Sequence, residues 1–112
     1  MARPPDSRGA LSLGTVLVAG DSMSPTYLEG DWLVVRWNSD IKLGQVVVVE
    51  RNERPGIFLI KRCLREESGK FWVEGDNISS TDSREWGLVD RAEIVGRVLL
   101  RIRRAQSHRG RR

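Results

Sequence analysis

Four valines in succession, Val46-Val47-Val48-Val49, constrain this chain more than any other feature. β-branched side chains favour extended backbone over helix, and this run is bounded by Gly44 on one side and the turn-forming residues 52–56 on the other. A strand over residues 45–51 follows. Shorter β-branched or aromatic runs predict further strands over residues 13–18, 31–37, 57–65, 70–74 and 93–102, and nowhere does a helical period persist for three turns. At 112 residues there is room for one modest core. The expected architecture is a single, mainly β domain built on a partly closed sheet or barrel.

The charge is unevenly placed. The sequence pI near 10.0 suggests an anionic partner, yet from Arg101 onward there are six arginines and no acid, which leaves 13 basic against 15 acidic residues before them. The basicity belongs to a tail, so nucleic acid is not expected as a partner, although docking of the tail to acidic surfaces stays open. The chain thus divides into an N-terminal lead (1–10), a folded domain (11–102) and a basic tail (103–112). The apolar stretch at 11–19 is interrupted by Ser12, Gly14 and Thr15 and falls short of the roughly 20 residues that span a bilayer. Nor does the lead resemble a signal peptide. A soluble, cytoplasmic protein is expected, with peripheral membrane contact left open. Cys63 has no cysteine partner and His108 lies in the tail, so neither a disulfide, a metal centre nor a histidine-based triad is expected, and no cofactor is implied.

Two stretches carry candidate chemistry. Gly20-Asp21-Ser22-Met23-Ser24-Pro25-Thr26 sets a serine on a glycine- and proline-framed loop between apolar runs. A nucleophilic hydroxyl needs such a rigid platform with backbone N–H groups close by, while the same residues also suit an ordinary hydrogen-bonded turn. In Ile57-Phe58-Leu59-Ile60-Lys61-Arg62-Cys63, alternation puts Lys61 on a face with Ile57, Leu59 and Cys63 and sends Arg62 the other way. If that face is inward, desolvation disfavours the ammonium form and suits Lys61 to act as a base; if Phe58, Ile60 and Arg62 point inward, Lys61 is on the surface. Periodicity leaves both open. A polar loop follows at 75–84, where Ser80 could hydrogen-bond an amine and Asp82 could pair with Arg84.

Taken in order, Ser22-Met23-Ser24-Pro25-Thr26 with Gly30-Asp31, then Ile60-Lys61-Arg62, then Gly75-Asp76-Asn77 through Ser80, Asp82-Ser83-Arg84 and Trp86-Gly87, resemble the successive boxes of type I signal peptidases. Ile94-Val95-Gly96-Arg97 resembles their closing strand, and the Gly-Gln-Val-Val-Val stretch at 44–48 is similar to one in the self-cleaving LexA-type repressors. The resemblance implies a signal peptidase/LexA-like antiparallel β fold and a Ser-Lys serine endopeptidase. In it Ser22 is the nucleophile, Lys61 the general base, Ser80 the hydroxyl that orients the lysine, Asp82 with Arg84 a supporting ion pair, and Met23 and Pro25 are substrate-binding. Where some members carry a serine hydroxyl as second oxyanion donor, this chain has Gly20, leaving the Ser22 N–H as the expected donor. The length, and the lack of an anchor ahead of the serine box, further resemble the nickel-type superoxide dismutase maturation proteases. That likeness implies removal of an N-terminal leader from a precursor protein.

Other readings compete. The chain could be a non-catalytic binding module on the same fold, or a general processor of exported precursors. The four tryptophans, Trp32, Trp37, Trp72 and Trp86, lack the interleaved basic residues of a base-stacking surface and read as packing residues, and Cys63 reads as a small buried hydrophobe.

Overall fold

A computed structural model describes residues 12–78 and 86–104. Seven strands form one antiparallel sheet: β1 (Leu13–Leu17), β2 (Trp32–Trp37), β3 (Val46–Val49), β4 (Leu59–Glu67), β5 (Lys70–Glu74), β6 (Leu88–Asp90) and β7 (Ile94–Arg103). Their order across the sheet is β1-β2-β7-β3-β4-β5-β6, so the C-terminal strand is inserted between β2 and β3. The mainly β, single-sheet expectation is met, and closure stops short of pairing the edge strands β1 and β6. All six strands foreseen agree to within about two residues with those observed, as boundaries usually do, although the four-residue β3 is shorter than its expected span at both ends. The short β6 was not foreseen.

Successive residues of β3 serve opposite faces. Val46 and Val48 join a core cluster with Val16, Met23, Leu33, Val35, Trp37, Ile60 and Val98, while Val47 and Val49 join a second with Cys63, Phe71, Val73, Val89 and Ile94. All four valines are buried, which is why the run is apolar throughout instead of alternating. The strand is thus a wall shared by two cores, and β4 lies beside it in register, with Val47 opposite Lys61 and Val48 opposite Ile60. Across-strand partners share a face, so Ile60 enters the first cluster and Lys61 faces the second.

Of the six arginines counted with the tail, Arg103 ends β7 and Arg101 lies within it. Arg101 Nη1 donates to the Asp31 carboxylate at 3.4 Å and to the Thr26 carbonyl at 3.2 Å, tying the last strand to the loop that carries Ser22.

Candidate active site

The serine loop leaves β1 at Val18 and returns at Asp31. Its neck is closed by Val18 N–H donating to the Asp31 carbonyl and Gly30 N–H donating to the Val18 carbonyl, both at 2.9 Å. Gly20 turns the chain at φ 79°, a left-handed conformation that costs glycine little. Past it, Ser24 N–H donates to the Asp21 carbonyl at 3.0 Å and Tyr27 N–H to the Met23 carbonyl at 3.0 Å, winding a compact turn around Ser22. Met23 is buried in the first core cluster and anchors that turn. At the base, the wholly buried Asp31 carboxylate accepts from Leu28 N–H at 2.9 Å.

The other side of the loop is clamped by Gly75-Asp76-Asn77, immediately after β5. Asn77 N–H donates to the Ser22 carbonyl at 2.9 Å, and its side-chain amide donates to the Asp21 carbonyl at 3.0 Å. Thr26 Oγ1 donates to Asp76 Oδ2 at 2.5 Å. The same carboxylate receives the Arg62 guanidinium fork, Nε to Oδ1 at 2.8 Å and Nη2 to Oδ2 at 2.7 Å, and Arg62 Nη1 donates to the Gly44 carbonyl at 2.7 Å. The Arg62 hydrogen bonds hold the Asp76 carboxyl below the usual carboxylate range, against the opposing effect of burial and with help from Thr26. Gly75 is required sterically: a Cβ there would lie 2.3 Å from the Ser22 carbonyl oxygen.

Lys61 is on the inward face. Its side chain is only 2% exposed, and its Nζ lies 5.4 Å from the centroid of the Trp86 ring. The question that periodicity left open is thereby settled: Lys61 and Cys63 point into the second core while Ile60 fills the first, so both faces of β4 are buried here. Register then relates lysine to serine. Arg62 pairs with Glu74, the last residue of β5, so Lys61 and Gly75 are the residues that flank the end of this ladder, and the Ser22 backbone rests on Gly75. The structure thus brings the two residues to one corner of the sheet. Among the described residues no hydrogen bond occupies the Ser22 N–H.

Beside Ser22 opens a cavity of about 450 Å³, lined by Thr15, Val16, Leu17, Val18, Ala19, Met23 and Trp32 on one side and Ile57, Phe58, Leu59 and Ile60 on the other. Its walls are largely apolar, and Ser22 stands among the lining residues, which suits a short extended apolar segment presented to the hydroxyl. Met23 lines this cavity; Pro25 is exposed and does not. Ser80, Asp82 and Arg84 lie outside the described residues. No group of three or more metal-ligating side chains occurs among the described residues.

Sequence reasoning missed the Arg62–Asp76 pair and the role of Trp86. A signal for the first existed, since Arg62 had been placed on the face opposite Lys61 and Asp76 begins the next loop. Nothing local joined them.

Comparison with known proteins adds to this geometry. A family model described as Peptidase S24-like matches residues 7–99. Subunit 1 of the mitochondrial inner membrane protease from Xenopus tropicalis is 32% identical over 112 aligned positions, 78% of this chain and 67% of the relative. Subunit 2 from Schizosaccharomyces pombe is 31% identical over 115 positions, 80% of this chain and 63% of the relative.

Proposed function

The chain belongs to the Peptidase S24-like family, and from that premise we propose that it is a serine endopeptidase in which Ser22 is the nucleophile and Lys61 the general base. The observation that carries this reading is the conjunction of a buried lysine with a serine loop locked against Gly75 at the adjoining end of the β4–β5 ladder. The uncharged Lys61 amine takes the Ser22 proton as the oxygen attacks the scissile carbonyl. The tetrahedral oxyanion faces the Ser22 N–H, the amine protonates the departing amino group, and water then hydrolyses the acyl-enzyme by the same proton path. The largely apolar cavity beside Ser22 takes the residues preceding the cut bond. Ser80 orients the amine, and Asp82 with Arg84 supports the loop that carries it.

The substrate we infer is a precursor protein that loses an N-terminal leader. In its narrower form the precursor is a nickel-type superoxide dismutase trimmed in the cytoplasm, a reading that rests on the resemblance of the sequence boxes. The competing form is cleavage of exported precursors at a membrane, favoured by the relatives named as subunits of a mitochondrial inner membrane protease. No helix among the described residues is long and apolar enough to cross a membrane.

The test is intact-mass analysis of a pro-form dismutase and of a signal-peptide-bearing precursor after incubation with wild type, Ser22→Ala and Lys61→Ala. Cleavage by wild type alone supports the dyad, and the substrate that is cut decides between the two forms. Retained cleavage by folded Lys61→Ala refutes the assignment of the base.

A further inference from the structure

We propose that Arg51 is a positioning residue that keeps Lys61 in its uncharged form: two cations share one tryptophan ring, and only one of them can release a proton. The use of that effect in catalysis rests on the reading of Lys61 as the base.

Arg51 lies just beyond the end of β3, and its guanidinium carbon is 4.8 Å from the Trp86 centroid, the same ring that Lys61 Nζ approaches at 5.4 Å. Sharing a ring at these distances keeps the two charges within about 10 Å of each other, close enough to couple where water is excluded. Both are sheltered: the Arg51 side chain is 14% exposed and Lys61 2%. The described residues also neutralise the Arg51 charge incompletely. Among the described residues its buried Nε and Nη1 find no hydrogen-bond partner, and the carboxylates of Glu93 and Glu53 stand off at 3.7 Å. Glu93 is committed elsewhere, accepting from Asn52 N–H at 2.9 Å and Asp90 N–H at 3.1 Å, and Glu53 projects into solvent.

An aromatic face attracts an ammonium through its quadrupole, so Trp86 alone would favour charged Lys61. A guanidinium on the same ring reverses the balance by competing for the π density and repelling the second cation. Arginine does not deprotonate in proteins, so the whole coupling falls on the lysine. Among the described residues, the charged or titratable groups on the elements around Lys61 include Glu50 and Arg51 after β3, Glu93 in the 3-10 turn before β7, Arg97 of β7 on the far side of Val47, Cys63 further along β4, and Arg62 with Asp76 and Glu74 directed to the other face of β4. Asp82 and Arg84 lie outside the described residues. Glu93 opposes Arg51 in sign and keeps the net effect modest.

The chain contains three lysines, and Lys42 and Lys70 are exposed, so full-length protein labelled with ε-13C-lysine gives a buried resonance that can be titrated without substrate. In Arg51→Gln the Lys61 midpoint should rise by about half to one pH unit, while Arg51→Lys, which keeps the charge, should hold it near the wild-type value. Arg51→Met, which retains apolar packing, replaces the glutamine variant if that one does not fold. The acid limb of the kcat/KM profile should move with the resonance. A Lys61 midpoint indifferent to loss of the Arg51 charge in a folded variant overturns the proposal. The titration is independent of turnover, so a protein that cuts nothing yet shows the Arg51-dependent shift refutes the peptidase reading and supports the coupling.

Discussion

Replacing Gly75 by alanine tests whether the serine loop is held by close approach to β5. The added Cβ would sit 2.3 Å from the Ser22 carbonyl oxygen, 3.1 Å from its carbon and 3.2 Å from the Ser22 Cβ. The obstructing atom is backbone, so no side-chain rotation relieves it. To reach even 3.0 Å the carbonyl must retreat by roughly 0.7 Å, and displacement of a reacting group on the 1 Å scale costs on the order of 10²-fold in rate. Retreat is resisted, because that carbonyl accepts from Asn77 N–H at 2.9 Å and the adjacent Asp21 carbonyl from the Asn77 amide at 3.0 Å. Overpacking of this kind destabilises by about 1–3 kcal/mol. Gly75→Ala should therefore lower kcat/KM on a leader-peptide substrate by about two orders of magnitude, with a melting temperature reduced by several degrees. Gly96→Ala is the control. Its Cβ would meet the Arg36 carbonyl and Trp37 ring at 3.1 Å, away from the serine loop, so it should lose stability with little loss of activity in the folded fraction. Wild-type activity and stability in Gly75→Ala would refute the clamp.

Two further outcomes follow from the surroundings of the loop. The Arg62 fork lowers the folded-state pKa of Asp76, so the contribution of that carboxylate is fully present above its unfolded value of about 3.9 and is lost as pH falls through the lower folded value. Denaturant unfolding of Asp76→Asn across that acid range should therefore show a shallower pH dependence than wild type, and equal slopes would count against the pair. Burial, with a smaller contribution from Glu66, raises the Cys63 thiol pKa. A thiol-specific reagent at pH 7 to 8 should label Cys63 only as fast as the domain opens, at a rate that climbs with denaturant; rapid labelling of native protein would contradict its placement.

The strands were legible because valine and isoleucine runs between glycine-marked turns leave few alternatives. β6 was not: Leu88–Asp90 has three residues, one of them an aspartate, and is held by pairing with β5 and by Val89 in the second core, neither of which shows in the local sequence. The orientation of Lys61 was undecidable for a physical reason. Alternation reads out burial when one face of a strand is wet, but at this point β4 has a core on each side, so Ile60 and Lys61 are both buried. The Asp82–Arg84 pair that the resemblance implies lies outside the described residues, and the Arg62–Asp76 pair is a separate one that sequence proximity does not reveal. A fully bonded pair among the described residues joins positions 14 apart, Arg62 and Asp76, because the β4–β5 hairpin folds the loop after β5 back beside β4. Gly75 could be read as a turn glycine, yet the atom it makes room for comes from residue 22.

The placement of the sheltered charges points the same way as the steric clamp. Arg101 with Asp31 ties β7 to the base of the serine loop, Arg62 with Asp76 ties β4 to its tip through Thr26, and Arg51 with Glu93 lies beside the ring that covers Lys61. Apolar residues of similar volume can often replace buried ion pairs without loss of stability, so stability alone is a weak explanation for three of them around one corner of a small domain. Each pair instead joins segments distant in sequence, and two of the three converge on the loop that carries Ser22. A directional bond fixes distance and angle where apolar packing fixes mainly volume, and a serine that must meet a lysine within hydrogen-bond reach needs the former. The shared wall of valines makes the corner rigid and dry, and the ion pairs set where the loop lies upon it.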